Sequence, residues 1–283
     1  MRYLISALLA TGVLGSPDPP QDLATQLTDA SGGVVVEATT RSCPAQLWVR
    51  PTSSAVLRVA VVDGSGVGVE GVQVALYGWI NSASDGGHAH ADSETAHGTF
   101  TNSPQTTNPY GEVAFNWTVG VGSFLVQPYF QLTYQGEQTF SQPCNTVRIA
   151  EEEGDYEWID TGNFILVGST TTHPSNHYAK PGFNELLREL ALDYGNRWNL
   201  NLAYNDSGLV WGGRFDISAN WSTPHATHNI GESQDVRANG GTSSIPSDTA
   251  VRDWFVQKVQ DLFGLAPLHE SSGTANEHYH IRR

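Results

Sequence analysis

Four stretches between Val34 and Ile149, "VLRVAVVDGSG", "VEGVQVALYG", "GEVAFNWTVG" and "SFLVQPYFQLTY", either alternate apolar with polar residues or run apolar, and each ends near Gly, Asp or Asn. A period of two buries one face of a strand and cannot bury one face of a helix. Val72, Val74 and Leu76 would share such a face. Short strands of this kind, separated by turn signals, predict an all-β antiparallel sandwich over residues 33–150.

The period then changes. Residues 151–160, within "AEEEGDYEWID", carry charge and no apolar repeat, and read as an acidic linker. In "PGFNELLRELALDYG", Phe183, Leu186, Leu187, Leu190, Ala191 and Tyr194 recur at helical spacing. Pro181 suits the start of this helix and Gly195 its end. A second helix fits "SDTAVRDWFVQKVQDLFG", with Ser247 as N-cap and Gly264 as its stop. Short strands fit "NFILVG", "NLNLAY" and "HYHIRR". Residues 161–283 therefore form an α+β domain, and the fold class is multidomain.

A chain of 283 residues with eight Trp, ten Tyr and ten Phe can build two real cores. Its net charge of −15 argues against nucleic acid and anionic membrane surfaces as partners, since both would repel it. At the N-terminus, Arg2 precedes an apolar run from Leu4 to Leu14, followed by Gly15 and Ser16. That is the layout of a signal peptide over residues 1–16, and the run is too short to span a bilayer. Export without a membrane anchor after cleavage is the expectation, with residues 17–32 a loose linker. In an exported protein the two cysteines, Cys43 and Cys144, are expected to form one disulfide.

Five of the ten histidines, His225, His228, His269, His278 and His280, follow residue 224. In a terminal strand "EHYHIR", His278 and His280 point to one face and Glu277 and Tyr279 to the other. Both imidazoles can approach one metal, and one of them can ligate it while the other handles protons. "HNIGESQD" supplies His228 and, after six residues and a bend at Gly231, Asp235. Two imidazoles, a carboxylate and a water make an open zinc site, and an open position on zinc activates that water near neutral pH.

"PHATHNIGESQD" followed by "EHYHIR" resembles the D-Ala-D-Ala metallopeptidase and hedgehog superfamily, whose pattern is a His, six residues, an Asp and a distant His-x-His. In style it is most similar to penicillin-insensitive murein endopeptidases, which carry a further His three residues before the first ligand. The resemblance covers the second domain and rests on these two segments. It implies that one Zn²⁺ per chain is held by His228, Asp235 and His280. His278 would be the general base, with His225 and Asp206 behind the ligands or on the substrate side. Glu277 is a second candidate base, disfavoured by strand alternation, and Arg214 is the candidate to polarise the substrate carbonyl. The chain departs from the pattern at Ala275, where those enzymes commonly carry another His, and this leaves the base open. The texture of "VDGSGVGVEGVQV" and "NPYGEVAFNWT" in the first domain resembles bacterial immunoglobulin-like modules.

These resemblances imply an exported zinc metallopeptidase acting on cell-wall (peptidoglycan) peptides. The alternative is a non-catalytic, zinc-containing binding or adhesion protein of hedgehog type. A further polar stretch, "SDGGHAHADSETAH", offers His88, His90 and His97. A second metal near His88 and His90 is weighed against an ordinary polar loop of the sandwich, and the loop is favoured. His173 and His177, in "THPSNHY", are expected on a loop surface.

Overall fold

The computed structural model describes residues 22–29, 34–37, 47–62, 67–82, 86–90, 93–141, 147–159, 164–222, 227–239 and 244–283. The signal peptide expected at residues 1–16, both cysteines and His225 lie outside them. The described residues are mostly β, with three α-helices, and the chain divides into two compact units. One comprises residues 1–82 and 92–149, and the other residues 83–91 and 150–283.

The first unit contains β1 (Asp22–Asp29), β2 (Val34–Glu37), β3 (Leu47–Val49), β4 (Ser54–Val62), β5 (Gln73–Ser82), the short helix α1 (Glu94–His97), β6 (Gly98–Phe100), β7 (Gln105–Thr106), β8 (Glu112–Val119), β9 (Phe124–Tyr134), β10 (Glu137–Ser141) and β11 (Val147–Ile149). They form a five-stranded sheet in the order β2-β1-β4-β8-β6 and a six-stranded one in the order β3-β11-β9-β5-β7, with β10 on β9. The period of two has its expected effect: Leu57, Val59 and Val61 of β4, Val113, Phe115 and Trp117 of β8, and Phe124, Val126 and Phe130 of β9 are buried. Phe115 of the first sheet stacks on Phe130 of the second at 5.3 Å. The expected linker at residues 17–32 needs correction, because Asp22–Asp29 pairs with β4 along its whole length. "DLATQLTD" alternates only weakly, and its pairing is a long-range choice that local pattern does not reveal.

The second unit continues with β12 (Glu157–Trp158), β13 (Phe164–Leu166), β14 (Tyr178–Ala179), α2 (Pro181–Trp198), β15 (Leu202–Tyr204), β16 (Ser233–Arg237), α3 (Thr249–Phe263), β17 (Leu268–Glu270) and β18 (His278–Arg282). Its main sheet runs β13-β15-β16-β18-β17, and β12 pairs with β14. The acidic stretch is therefore not a free linker. Glu157 and Trp158 pair with Ala179 and Tyr178, and Tyr156 and Ile159 are buried. Two apolar anchors among the charges are enough to fold it in.

Both helices begin and bury their apolar stripes as their spacing predicts, but their ends differ in detail. Helix α2 passes through Gly195 and stops at Asn199, which takes the left-handed conformation at φ 55°. Trp198 packs against the core and carries the helix on over the weak glycine. Helix α3 is capped by Asp248 rather than Ser247, its carboxylate accepting from the Val251 N–H at 3.1 Å. Phe183, Leu187, Leu190, Phe255 and Val259 from the helices join Leu202, Tyr204, Val236, Tyr279 and Ile281 from the sheet in one core. This core settles which face of β16 and β18 is left for polar residues.

Candidate metal centre

The second unit holds two groups of side chains able to hold a metal ion. They share no residue: His228, Asp235 and His280 form one, and His88, His90, His173 and Asp216 the other.

The first group is produced by strand register. β16 and β18 are antiparallel, with Asp235 opposite His280 and Arg237 opposite His278. Directly paired residues share a face. Val236, Tyr279 and Ile281 alternate onto the other face and enter the core. Asp235 Oδ1 lies 2.7 Å from His280 Nδ1 and 3.4 Å from His228 Nε2, and its Oδ2 lies 3.7 Å from His278 Nε2. His228, Asp235 and His280 are all buried, whereas the His278 side chain keeps 19% of its surface exposed.

His228 arrives on a 3-10 turn, His228–Ile230, closed by Gly231 at φ +67°. Its Nδ1–H donates to the Ser207 carbonyl at 2.5 Å, which turns Nε2 toward Asp235. This is the outer hydrogen bond that commonly fixes a ligating imidazole. A Cβ at Gly231 would stand 2.7 Å from the Tyr156 ring in a backbone conformation that side chains resist. Gly231→Ala is expected to cost about 1–3 kcal/mol and, by displacing His228, to weaken whatever metal binding the group provides. Urea unfolding and zinc titration of that variant check both.

Asp206 completes the surroundings of the group. Its carboxylate accepts from Asn176 Nδ2 at 2.8 Å and from Asn205 Nδ2 at 3.0 Å. Burial, and then the charge of Asp235, push its pKa up to about 6. For Asp235 burial acts in the same direction, but hydrogen bonds from His228 and His280 outweigh it and hold the carboxyl well below its usual range. Burial would lower the His228 pKa, yet Asp235 raises it on balance. Two buried carboxylates facing two buried imidazoles form a pocket that a cation stabilises.

The remaining candidates fall elsewhere. Glu277 turns away, as alternation requires: Oε1 meets His269 Nε2 and Arg252 Nη2, both at 2.8 Å, and Oε2 accepts from the Gly273 N–H. It is a structural anchor for the β17–β18 turn, not a base at the metal. Arg214 donates from Nη1 to the Trp221 carbonyl at 2.9 Å, which ties it to the turn that carries Asp216. Glu270, opposite His278 across β17 and β18, places Oε2 3.5 Å from His278 Nε2.

The second group corrects two expectations. Residues 83–91 belong to the second unit, although strand β5 and helix α1 on either side of them in sequence belong to the first. His88 and His173 are fully buried. His177, also expected at the surface, is buried too and donates from Nε2 to the Val167 carbonyl at 2.9 Å. His97 stays in the first unit, with its ring 4.8 Å from that of Trp79. The sequence signal for the second group is a second His-x-His, at His88 and His90.

No protein-family model matches the chain, and no curated protein shows significant similarity to it.

Proposed function

We propose that the His228–Asp235–His280 group is the zinc centre of an exported metallopeptidase. The substrate class we propose is cell-wall peptides, with an immunoglobulin-like module carried in front of the enzyme. The observation that carries this reading is the geometry around Asp235. Three buried ligands from two separate segments converge there, and one partly exposed imidazole, His278, stands beside them. Three protein ligands leave a fourth position for water, the pattern of catalytic rather than structural zinc. Peptidoglycan as the substrate rests on the resemblance of "HNIGESQD" and "EHYHIR" to murein endopeptidases. Among the described residues no helix is long and apolar enough to cross a membrane, which is compatible with release after export.

Zinc held by His228, Asp235 and His280 would supply Lewis acidity, bringing the pKa of a bound water toward ~7 and polarising a carbonyl. The chain supplies the proton path. His278 Nδ1–H donates to the Asn276 carbonyl at 2.6 Å, so Nε2 keeps its lone pair. Nε2 takes the proton of the attacking water, and Asp235 and Glu270, at 3.7 and 3.5 Å, stabilise the imidazolium that results. The same Nε2–H then protonates the amine that leaves as the peptide C–N bond breaks.

Incubating the purified protein with cross-linked peptidoglycan, and separating the soluble fragments, tests the reading. Chelation should abolish fragment release, and added zinc should restore it. Release that persists after complete zinc removal would sink the proposal, as would an inert, zinc-loaded protein.

A further inference from the structure

The second group differs from the first in number, geometry and closure. Its four ligand atoms are His88 Nδ1, His90 Nε2, His173 Nε2 and Asp216 Oδ1. His88 Nδ1 lies 3.1 Å from His90 Nε2 and 3.3 Å from His173 Nε2. Asp216 Oδ1 lies 3.5, 3.2 and 3.1 Å from the His88, His90 and His173 atoms. Five edges of the figure thus fall between 3.1 and 3.5 Å. A regular tetrahedron around a cation with bonds of about 2.0–2.1 Å has edges of about 3.3 Å, and those are zinc–imidazole and zinc–carboxylate bond lengths. At the same bond lengths, right-angle neighbours around an octahedral ion would lie only about 2.9 Å apart, closer than any of the five pairs, and calcium or magnesium would call for oxygen donors.

The outer contacts fit a single metal-bound carboxylate oxygen. Asp216 Oδ2 accepts from the backbone N–H of Trp221, which leaves Oδ1 for the cluster. The Trp221 ring covers His88 and His90 at 4.5 and 4.7 Å, and Phe215 covers His173 at 5.0 Å. The Ala89 N–H donates to the Thr172 carbonyl at 2.8 Å, and His173 N–H to Thr170 Oγ1 at 3.0 Å, so the backbones that carry the ligands are themselves held. Three imidazole nitrogens and a carboxylate oxygen, nearly all shut away from solvent, converge on one point, where a cation would accept lone pairs from all four.

We propose that His88, His90, His173 and Asp216 form a closed tetrahedral zinc site whose work is structural. It clamps residues 86–90 to the turns that carry His173 and Asp216. All four positions of the tetrahedron are taken by protein, so no water or substrate is activated there. The ring of Phe215 touches both groups, lying 5.0 Å from His173 and 6.3 Å from His228. No ligand is common to the two groups, so no side chain bridges them.

The proposal stands independently of the peptidase reading, and zinc counting on the full chain separates them. Elemental mass spectrometry should find about two zinc per wild-type chain and about one in His280→Ala. The double variant His88→Ala/His90→Ala should lose one equivalent. Its melting temperature should fall and should respond less to EDTA than that of the wild type. If that variant does not fold, His280→Ala still decides. Retention of about one zinc, with the intense visible absorption of four-coordinate cobalt after exchange, supports the site. Zinc absent from His280→Ala, six-coordinate cobalt in it, or an unchanged count in a folded double variant overturns it. One zinc in both the wild type and His280→Ala would uphold this site and remove the metal from the proposed catalytic centre.

Discussion

On the peptidase reading, Asp235→Ala is expected to lose the bound zinc and all measurable hydrolysis. Asp235 is the group that holds the others together, lying within 3.7 Å of a nitrogen on each of His228, His280 and His278. Its removal takes away a ligand and the negative charge that keeps His228 drawn toward the centre. Zinc affinity should therefore fall well beyond the about 10–100-fold typical of an outer-shell loss. Asp235→Asn preserves the shape and some of the hydrogen bonding, and serves as the control for folding. Zinc content, far-UV circular dichroism and fragment release should be read on both variants. A folded Asp235→Ala protein that still cleaves peptidoglycan would remove Asp235, and the metal with it, from the mechanism.

His278→Ala should behave differently. Because His278 stands beside the ligands and is not one of the three, zinc content should remain at the wild-type level. The rate should fall because the proton acceptor is gone, with kcat lower by about 10²–10⁴-fold and KM nearly unchanged. Added imidazole should restore part of the rate, which the loss of a merely structural histidine would not allow. Glu270→Gln should give a smaller loss, since Glu270 acts only on the charge of the imidazolium and is largely in solvent. If His278→Ala loses its zinc, His278 is a ligand and the base must be sought elsewhere.

Features that depend on short-range periodicity are legible in the amino-acid sequence itself. The apolar stripes of α2 and α3 and the alternation of "HYHIRR" need only local spacing to be read, and the same alternation turns Glu277 aside. The meeting of His228 with the tail also follows, because the motif order carries it. The second group is concealed for the opposite reason. His88 and His90 sit in a polar stretch, and their partners His173 and Asp216 lie far along the chain with no repeat to connect them. Helix ends shift because tertiary packing of Trp198 and the cap at Asp248 outweigh local propensity. Asp22–Asp29 and the buried Tyr156 and Ile159 show the same limit, since a polar stretch becomes structure when a distant strand or core offers it a partner.

The pairing of Asp235 with His280 also governs how this chain can change in length. Everything between Arg237 and His278, helix α3 included, is an excursion that leaves β16 and returns in β18. Residues added to or removed from its loops leave the metal centre intact as long as β18 docks in the same register. A slip of the ladder by a single residue would bring Tyr279 beside Asp235 and send the histidines into the core. Divergent copies of this domain are therefore free to vary the gap between the two motifs, provided that the ladder keeps Asp235 opposite His280.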